Sequence, residues 1–371
     1  MTAHIVLLIL ILINGVRCYS KESYFPYCSQ KRNARFVISS ELMILCLVGL
    51  RASSVGIDTV RYERFFDRIS QNADYMERLD WAVIFRTLVM ICEKFNSFQM
   101  LLIICALINC IGFGWFALSV TEDNEAAFWY ILFFVTFGSY FNSMNVIRQV
   151  CAMSVTINIY GVLHKNRNLK SFGIALLLLL VGLGFHSSAI LSIGYFLPFI
   201  IKEIDKKAIM IISFISLLLI VAYSTVIPLV FSFWDVYERY SEDARLSSGH
   251  TGVFAISMIL LRIIMIGVVL RMDAKKPENQ DIYRQTVYTV ISTALFILQA
   301  QTQFALRTGY YFEIFFLLYV PTFVRKFKSK RSRWILYSLL SLYAIAYFIY
   351  ALMWGGSGSN RATVPYYFFW Q

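Results

Sequence analysis

Apolar runs separated by short polar turns follow one another along nearly the whole chain, near 4–16, 36–50, 97–118, 127–143, 146–163, 171–184, 187–201, 208–230, 251–270, 286–306, 310–324 and 334–354. A helix needs about 20 apolar residues to cross the hydrocarbon layer and satisfies its own backbone hydrogen bonds there, and these runs lack the period of two of a barrel strand. The pattern predicts an all-α fold: a polytopic membrane helical bundle of about twelve spans, forming a single membrane domain over residues 1–371. Several runs are short. The first two, and the pair on either side of His186, need tilted partners, snorkelling flanks or a re-entrant-like break near His186. The first run has the length of a signal peptide but no basic segment before it, and Arg17 follows its apolar core without a small-residue cleavage pattern, so it reads as the first span.

Composition places the chain in the membrane class. It is 58% hydrophobic and 15% charged, with a mean hydropathy of +0.63, well outside the range of a water-soluble domain. Lys and Arg collect at 17–35, 165–170, 202–207, 271–284 and 325–333. An even number of spans with both termini outside puts all of these in the cytoplasm, as the positive-inside bias requires. Two connections resist this assignment. The turn at Glu122, Asp123 and Glu125 is acidic, and the segment 51–96, expected on the outer face with interfacial helices, carries seven basic residues.

The net charge of +12 is this topological bias, scattered over turns, which argues against a nucleic-acid partner. The seven cysteines lie mainly in or near apolar runs with no C-x-x-C pair, and the four histidines are dispersed, so the expectation is no metal and no cofactor. There is no internal repeat, P-loop or dinucleotide fingerprint.

Four polar groups stand out. Arg51 leaves the second span, followed by Val55-Gly56-Ile57-Asp58-Thr59; Asp58 is placed to cap a surface helix with Tyr62, Phe65, Phe66 and Ile69 on one face and Arg61, Arg64, Asp67 and Arg68 on the other. A short apolar run with Arg86 follows at 81–92, fitting an interfacial or re-entrant helix. Asn142, Asn145, Arg148 and Gln149 have helical spacing, and an arginine at membrane depth faces a cavity, an anion or a carboxylate such as Glu41 or Glu313. Phe185-His186-Ser187-Ser188-Ala189 sits between two half-length runs, after Gly182 and Gly184, where the backbone can break. A lone histidine is either a structural hydrogen-bonder or a base. Gln299, Gln303 and Arg307 are spaced by four toward the outer end of the tenth span, before Tyr310 and Tyr311, with a packed bundle interior as their plainer explanation.

Arg51, Arg148 and Arg307 are thereby expected at one depth, at the outer headgroup level. Guanidinium groups there suit a pyrophosphate, which they bind bidentately and stabilise as a leaving group. A sugar hydroxyl attacking the anomeric carbon would then need a base, His186 or Asp58.

Arg51 with Val55-Gly56-x-Asp58-Thr59-x-x-Tyr62, Asn145-x-x-Arg148-Gln149-x-x-Ala152, Phe185-His186-x-Ser188-Ala189 and a late Arg307 before Tyr310 and Tyr311 together resemble the EpsG family of bacterial exopolysaccharide proteins, related to Wzy-type polymerases. The resemblance runs over about residues 40 to 325. It implies an enzyme, a glycosyltransferase-type polymerase that joins undecaprenyl-pyrophosphate-linked repeat units into O-antigen, capsule or exopolysaccharide at the outer face of the bacterial cytoplasmic membrane, without metal or nucleotide. Its partners would be the lipid-linked glycans and membrane lipid, a chain-length regulator and a flippase. By position it implicates Arg51, Asp58, Arg148, Gln149, His186 and Arg307, to which the spacing adds Asn145, Ser187 and Tyr310. The rival readings are a lipid-linked oligosaccharide flippase, for which Arg262 is the one deep cation, a membrane acyltransferase, for which His164 is isolated, and a non-catalytic assembly subunit.

Overall fold

The structure, a computed structural model, describes residues 1–19, 26–121, 124–201, 203–222, 252–300, 303–353 and 362–371. The expected span at 208–230 beyond residue 222, and the acidic turn at Glu122 and Asp123, lie outside the described residues. Among the described residues the chain is helical, with one isolated antiparallel bridge between Arg51 and Phe368. Among the described residues three helices are individually long and apolar enough to cross a membrane: α1 (Thr2–Tyr19), α5 (Phe98–Val120) and α16 (Lys330–Met353). Further apolar helices have 10–17 residues, so the twelve expected crossings are not each matched by a full-length apolar span.

The chain divides into two compact units, one comprising Met1–Phe196 with Tyr337–Gln371 and the other Leu197–Leu336. In the first, α2 (Pro26–Gly49) packs between α1 and α5, and α5 packs on α8 (Ile147–Thr156) and α9 (Asn158–Lys165), which in turn pack on α10 (Leu169–Phe185). Small and polar residues set these approaches. Asn14 on α1 donates to Ser39 Oγ at 2.8 Å and Ser40 Oγ at 2.9 Å on α2. Asn158 Nδ2 reaches the Gly112 carbonyl on α5 at 3.0 Å, where a side chain on Gly112 would collide with the Ser154 backbone.

Two short helices matter for the site. α3 (Ile57–Gln71) buries Phe66 and Ile69 and exposes Arg61, Arg64, Asp67 and Arg68, which is the amphipathic arrangement expected. α4 (Val83–Lys94) buries Phe85, Val89 and Cys92 at helical spacing. Between α5 and α10 the chain breaks repeatedly: α6 (Asn124–Thr136) ends before Gly138, a left-handed residue, α7 (Ser139–Asn145) follows, and Val146 at φ −84°, ψ 58° separates α7 from α8. The expected spans at 127–143 and 146–163 are therefore each two helices.

The second unit contains α11 (Leu197–Ile200), α12 (Lys206–Val221), α13 (Val253–Val269), α14 (Gln280–Leu298) and α15 (Gln303–Arg325), with α14 packed on α12, α13 and α15. Asp205 caps α12 by accepting from the Ala208 amide at 2.8 Å. Helix α15 starts earlier than the run at 310–324 predicts, because Gln303 and Arg307, read as the end of the preceding span, begin it instead.

Candidate functional site

The first polar group is a buried knot. Arg51 is 1% exposed, and its guanidinium donates to the Val55 carbonyl (3.3 Å), the Val48 carbonyl, Thr59 Oγ1 (3.3 Å) and the Met144 carbonyl (3.3 Å), which Thr59 Oγ1 also contacts at 2.8 Å. Burial pushes the Arg51 pKa down to about 10, which leaves it charged at neutral pH. All three of its nitrogens serve chain breaks, where helix ends present carbonyls without helical partners. In this arrangement the Arg51 guanidinium joins the ends of α2 and α7 to the start of α3.

Asp58 is not the cap of α3. The cap position is Gly56, at φ +98°, a conformation that favours glycine, and a Cβ there would collide with the Met144 carbonyl. The side-chain cap comes from another helix: Asn145 Oδ1 accepts from the Ile57 amide at 2.9 Å, while Asn145 Nδ2 donates to the Phe141 carbonyl at 3.0 Å. Both ends of the Asn145 amide are thus engaged within the protein. Asp58 itself lies half-buried in the first turn of α3. The C-terminal tail closes the knot from another side. The Ala52 amide donates to the Tyr367 carbonyl (2.9 Å), the Gly56 amide to the Ala362 carbonyl (2.8 Å) and the Phe369 amide to the Leu50 carbonyl (3.0 Å). His4 links the tail to α7, with Nε2 bonded to the Thr363 carbonyl at 3.0 Å and Nδ1 lying 2.9 Å from Tyr140 Oη.

Because α7 and α8 are separated at Val146, Asn142 and Asn145 do not share one continuous helical face with Arg148 and Gln149. Gln149 is buried. Arg148 turns toward α3 and α4, where Nε donates to Tyr62 Oη at 3.1 Å and the guanidinium carbon lies 5.9, 5.5 and 5.8 Å from the ring centres of Tyr62, Trp81 and Phe85. The three rings are themselves in mutual contact, at 5.3 to 6.0 Å. Among the described residues Arg148 has no carboxylate partner and its two terminal nitrogens take no hydrogen bond. This is a cation held at its base by a tyrosine and cradled by aromatic faces, with its fork unbonded among the described residues. The carboxylate alternatives are taken up elsewhere: Glu41 is buried within α2 and Glu313 pairs with Arg262.

The cluster beneath Arg148 also carries His186. Ile147 and Cys151, on either side of Arg148, and Phe185 and Ala189, on either side of His186, belong to one buried group with Phe66, Phe85 and Val89. His186 ends α10 and caps the 3-10 turn Ser187–Tyr195. Its Nδ1 accepts from the Ser188 amide at 3.1 Å and lies 2.7 Å from Ser188 Oγ. An accepting Nδ1 assigns the neutral ring's proton to Nε2. In this state the ring offers a donor at Nε2, and its basic nitrogen is occupied by the cap. Ser187 is exposed at the head of the turn. Gly182 and Gly184 lie within α10 and do not form the break. They let it approach Thr156 and Ile84 closely.

In the second unit, Arg307 and Tyr310 are half-buried on α15. Gln299 ends α14, so it does not form a continuous stripe with Gln303 and Arg307. Arg262 is fully buried, donating to Ser292 Oγ at 2.8 Å and to Glu313 Oε1 at 3.4 Å between the rings of Phe296 and Phe316 at 4.4 and 4.6 Å. That pairing occupies the deep cation on which a flippase reading would draw.

The sequence reading missed the aromatic cradle and the tail. The cradle had a signal: Trp81 and Phe85 are four apart, and Tyr62 sits one turn after Asp58. The tail, rich in aromatics but without periodicity, had none. Compared with known proteins, the chain matches the family model described as the EpsG family over residues 35–368. No curated protein and no solved structure matches it.

Proposed function

The chain belongs to the EpsG family, a membership that fits a membrane protein of polysaccharide biosynthesis, and from it we propose that the protein is a polymerase joining lipid-pyrophosphate-linked repeat units at the outer face of the cytoplasmic membrane. The observation that carries this reading is Arg148: a cation braced by Tyr62 and three rings, with no carboxylate partner among the described residues. A fork of this kind matches two phosphate oxygens, and aromatic faces beside it suit the apolar faces of sugar rings.

In the proposed reaction the acceptor hydroxyl oxygen forms a bond to the anomeric carbon of the donor as the bond from that carbon to the pyrophosphate breaks. The bonding electrons leave on the pyrophosphate oxygen, where Arg148 stabilises the developing charge. Asp58 receives the hydroxyl proton. His186 acts as a positioning residue and donor through Nε2, because its Nδ1 is committed to Ser188. Arg51 and Asn145 contribute by holding α3 against the α7–α8 break from which Arg148 projects.

The test is reconstitution of the purified chain with undecaprenyl-pyrophosphate-linked repeat units. A ladder of longer glycans, with release of the lipid pyrophosphate, supports the polymerase. Movement of the substrate across the bilayer without new glycosidic bonds supports a flippase, and neither activity supports an assembly subunit. A ladder that survives Arg148→Ala at full rate removes Arg148 from the site.

A further inference from the structure

Where α2, α5, α6 and α7 meet, a cavity of about 10 Å³ is lined by Glu41, Val48, Asn109, Cys110, Phe134 and Ser143, among others. Glu41 is 2% exposed and Asn109 5%. Glu41 Oε1 and both the nitrogen and the oxygen of the Asn109 amide are buried without a hydrogen-bond partner. Leaving an amide and a carboxyl oxygen unsatisfied in an apolar interior is costly, so buried groups of this kind are completed by something small. The space matches one water molecule.

The carboxyl is also uncompensated. Of the two buried acids among the described residues, Glu313 is paired with Arg262, whereas Glu41 has no ion pair. The titratable groups facing it are the Cys110 thiol of α5 and the Tyr130 hydroxyl of α6, both neutral, and the latter is itself without a partner. Gly114 of α5 faces the Glu41 side chain across the interface. An ionised carboxylate in such surroundings, with no cation, is far less favourable than its protonated form.

We propose that Glu41 and Asn109 form an intramembrane proton-and-water site, with Glu41 held as a neutral carboxylic acid near pH 7 and one enclosed water bridging its carboxyl group and the Asn109 amide. The site stands apart from the glycosyl-transfer reading. It lies behind the Arg51 knot, since Val48 lines the cavity and its carbonyl accepts from Arg51, and Ser143 precedes Met144.

Infrared spectroscopy of the purified full chain in lipid nanodiscs at pH 7, in H2O and D2O, tests this. The expected result is a protonated-acid carbonyl band that shifts on deuteration, is lost in Glu41→Gln, and moves to higher frequency in Asn109→Leu as the bridging water is displaced. A wild-type spectrum without that band overturns the neutral acid, as does a band that persists in Glu41→Gln. A band unmoved by Asn109→Leu overturns the water bridge. The competing occupant is a sodium ion, which needs an ionised Glu41. Exchanging choline for sodium is expected to leave the wild-type melting temperature unchanged, and a sodium-dependent rise would overturn the proposal even if Glu41→Gln does not fold.

Discussion

Replacing His186 by asparagine separates a ring that positions from a ring that takes a proton. The wild-type Nδ1 accepts from the Ser188 amide at 3.1 Å and so caps the turn Ser187–Tyr195. Asparagine is among the best capping residues, and its Oδ1 can accept from the same amide while its NH2 group retains donor capacity. Alanine keeps neither, and loss of a cap costs about 0.5–2 kcal/mol. If His186 positions, His186→Asn loses a donor of slightly different reach, worth about 1 kcal/mol or roughly a fivefold rate. If His186 is the base, both variants lose the contribution of general base catalysis, about 10²–10⁴-fold. The assay is the initial rate of glycan extension by purified protein on lipid-linked repeat units, normalised to the folded fraction from thermal melting. A His186→Asn protein that melts like the wild type and is as inactive as His186→Ala refutes the positioning role.

Arg148→Ala is expected to lower the extension rate by about 10²-fold or more, and Arg148→Lys, which keeps the charge but not the fork, to fall between it and wild type, with both melting near the wild-type temperature. Gly56→Ala combines a positive φ with a collision at the Met144 carbonyl, and is expected to cost about 2 kcal/mol or more, read as a lower melting temperature with activity tracking the folded fraction. Arg262→Met removes the ion-pair partner of Glu313 and is expected to destabilise by about 3–5 kcal/mol in denaturant titration, most of it recovered in the Arg262→Met, Glu313→Leu double variant; equal instability of the two would mean that the ion pair is not what holds that region.

What the sequence revealed of this fold follows from how local each signal is. Helices α1, α5, α10, α13 and α16 are legible because long, predominantly apolar stretches leave little alternative in a hydrophobic solvent. The surface helix α3 was legible from spacing alone, since Phe66 and Ile69 repeat against four charged positions. Breaks were harder. Nothing near Val146 is a proline or glycine, and the chain leaves the helix there because Asn145, Met144 and the knot around Arg51 supply the hydrogen bonds that a continuous helix would have supplied. A break stabilised by residues about 90 positions away leaves no local mark, so helical spacing placed Asn145 and Arg148 side by side when they face different partners. The same blindness moved Gln303 and Arg307 onto the wrong helix.

The arginines show where residue type stops being informative. Arg51 and Arg148 read alike in sequence, each an arginine at the edge of an apolar run, because guanidinium serves any cluster of oxygens, whether phosphate or backbone carbonyl. Geometry separates them. Arg51 meets Val48, Val55 and Met144 carbonyls left over by helix ends, so its charge is spent on the chain. Arg148 meets one hydroxyl and three ring faces, which hold a cation without consuming its fork. The two are coupled through a single short path: Arg51 and Thr59 grip the Met144 carbonyl, Asn145 caps α3, and α3 presents Tyr62 to Arg148. On the proposed function, the residues of the sequence pattern divide into a frame around Arg51 and two ligand-facing positions, Arg148 and His186. On that reading substitutions in the frame act on stability and on the aim of Arg148, Arg148 substitutions act on the rate at near-unchanged stability, and His186 substitutions that lose the cap act on both.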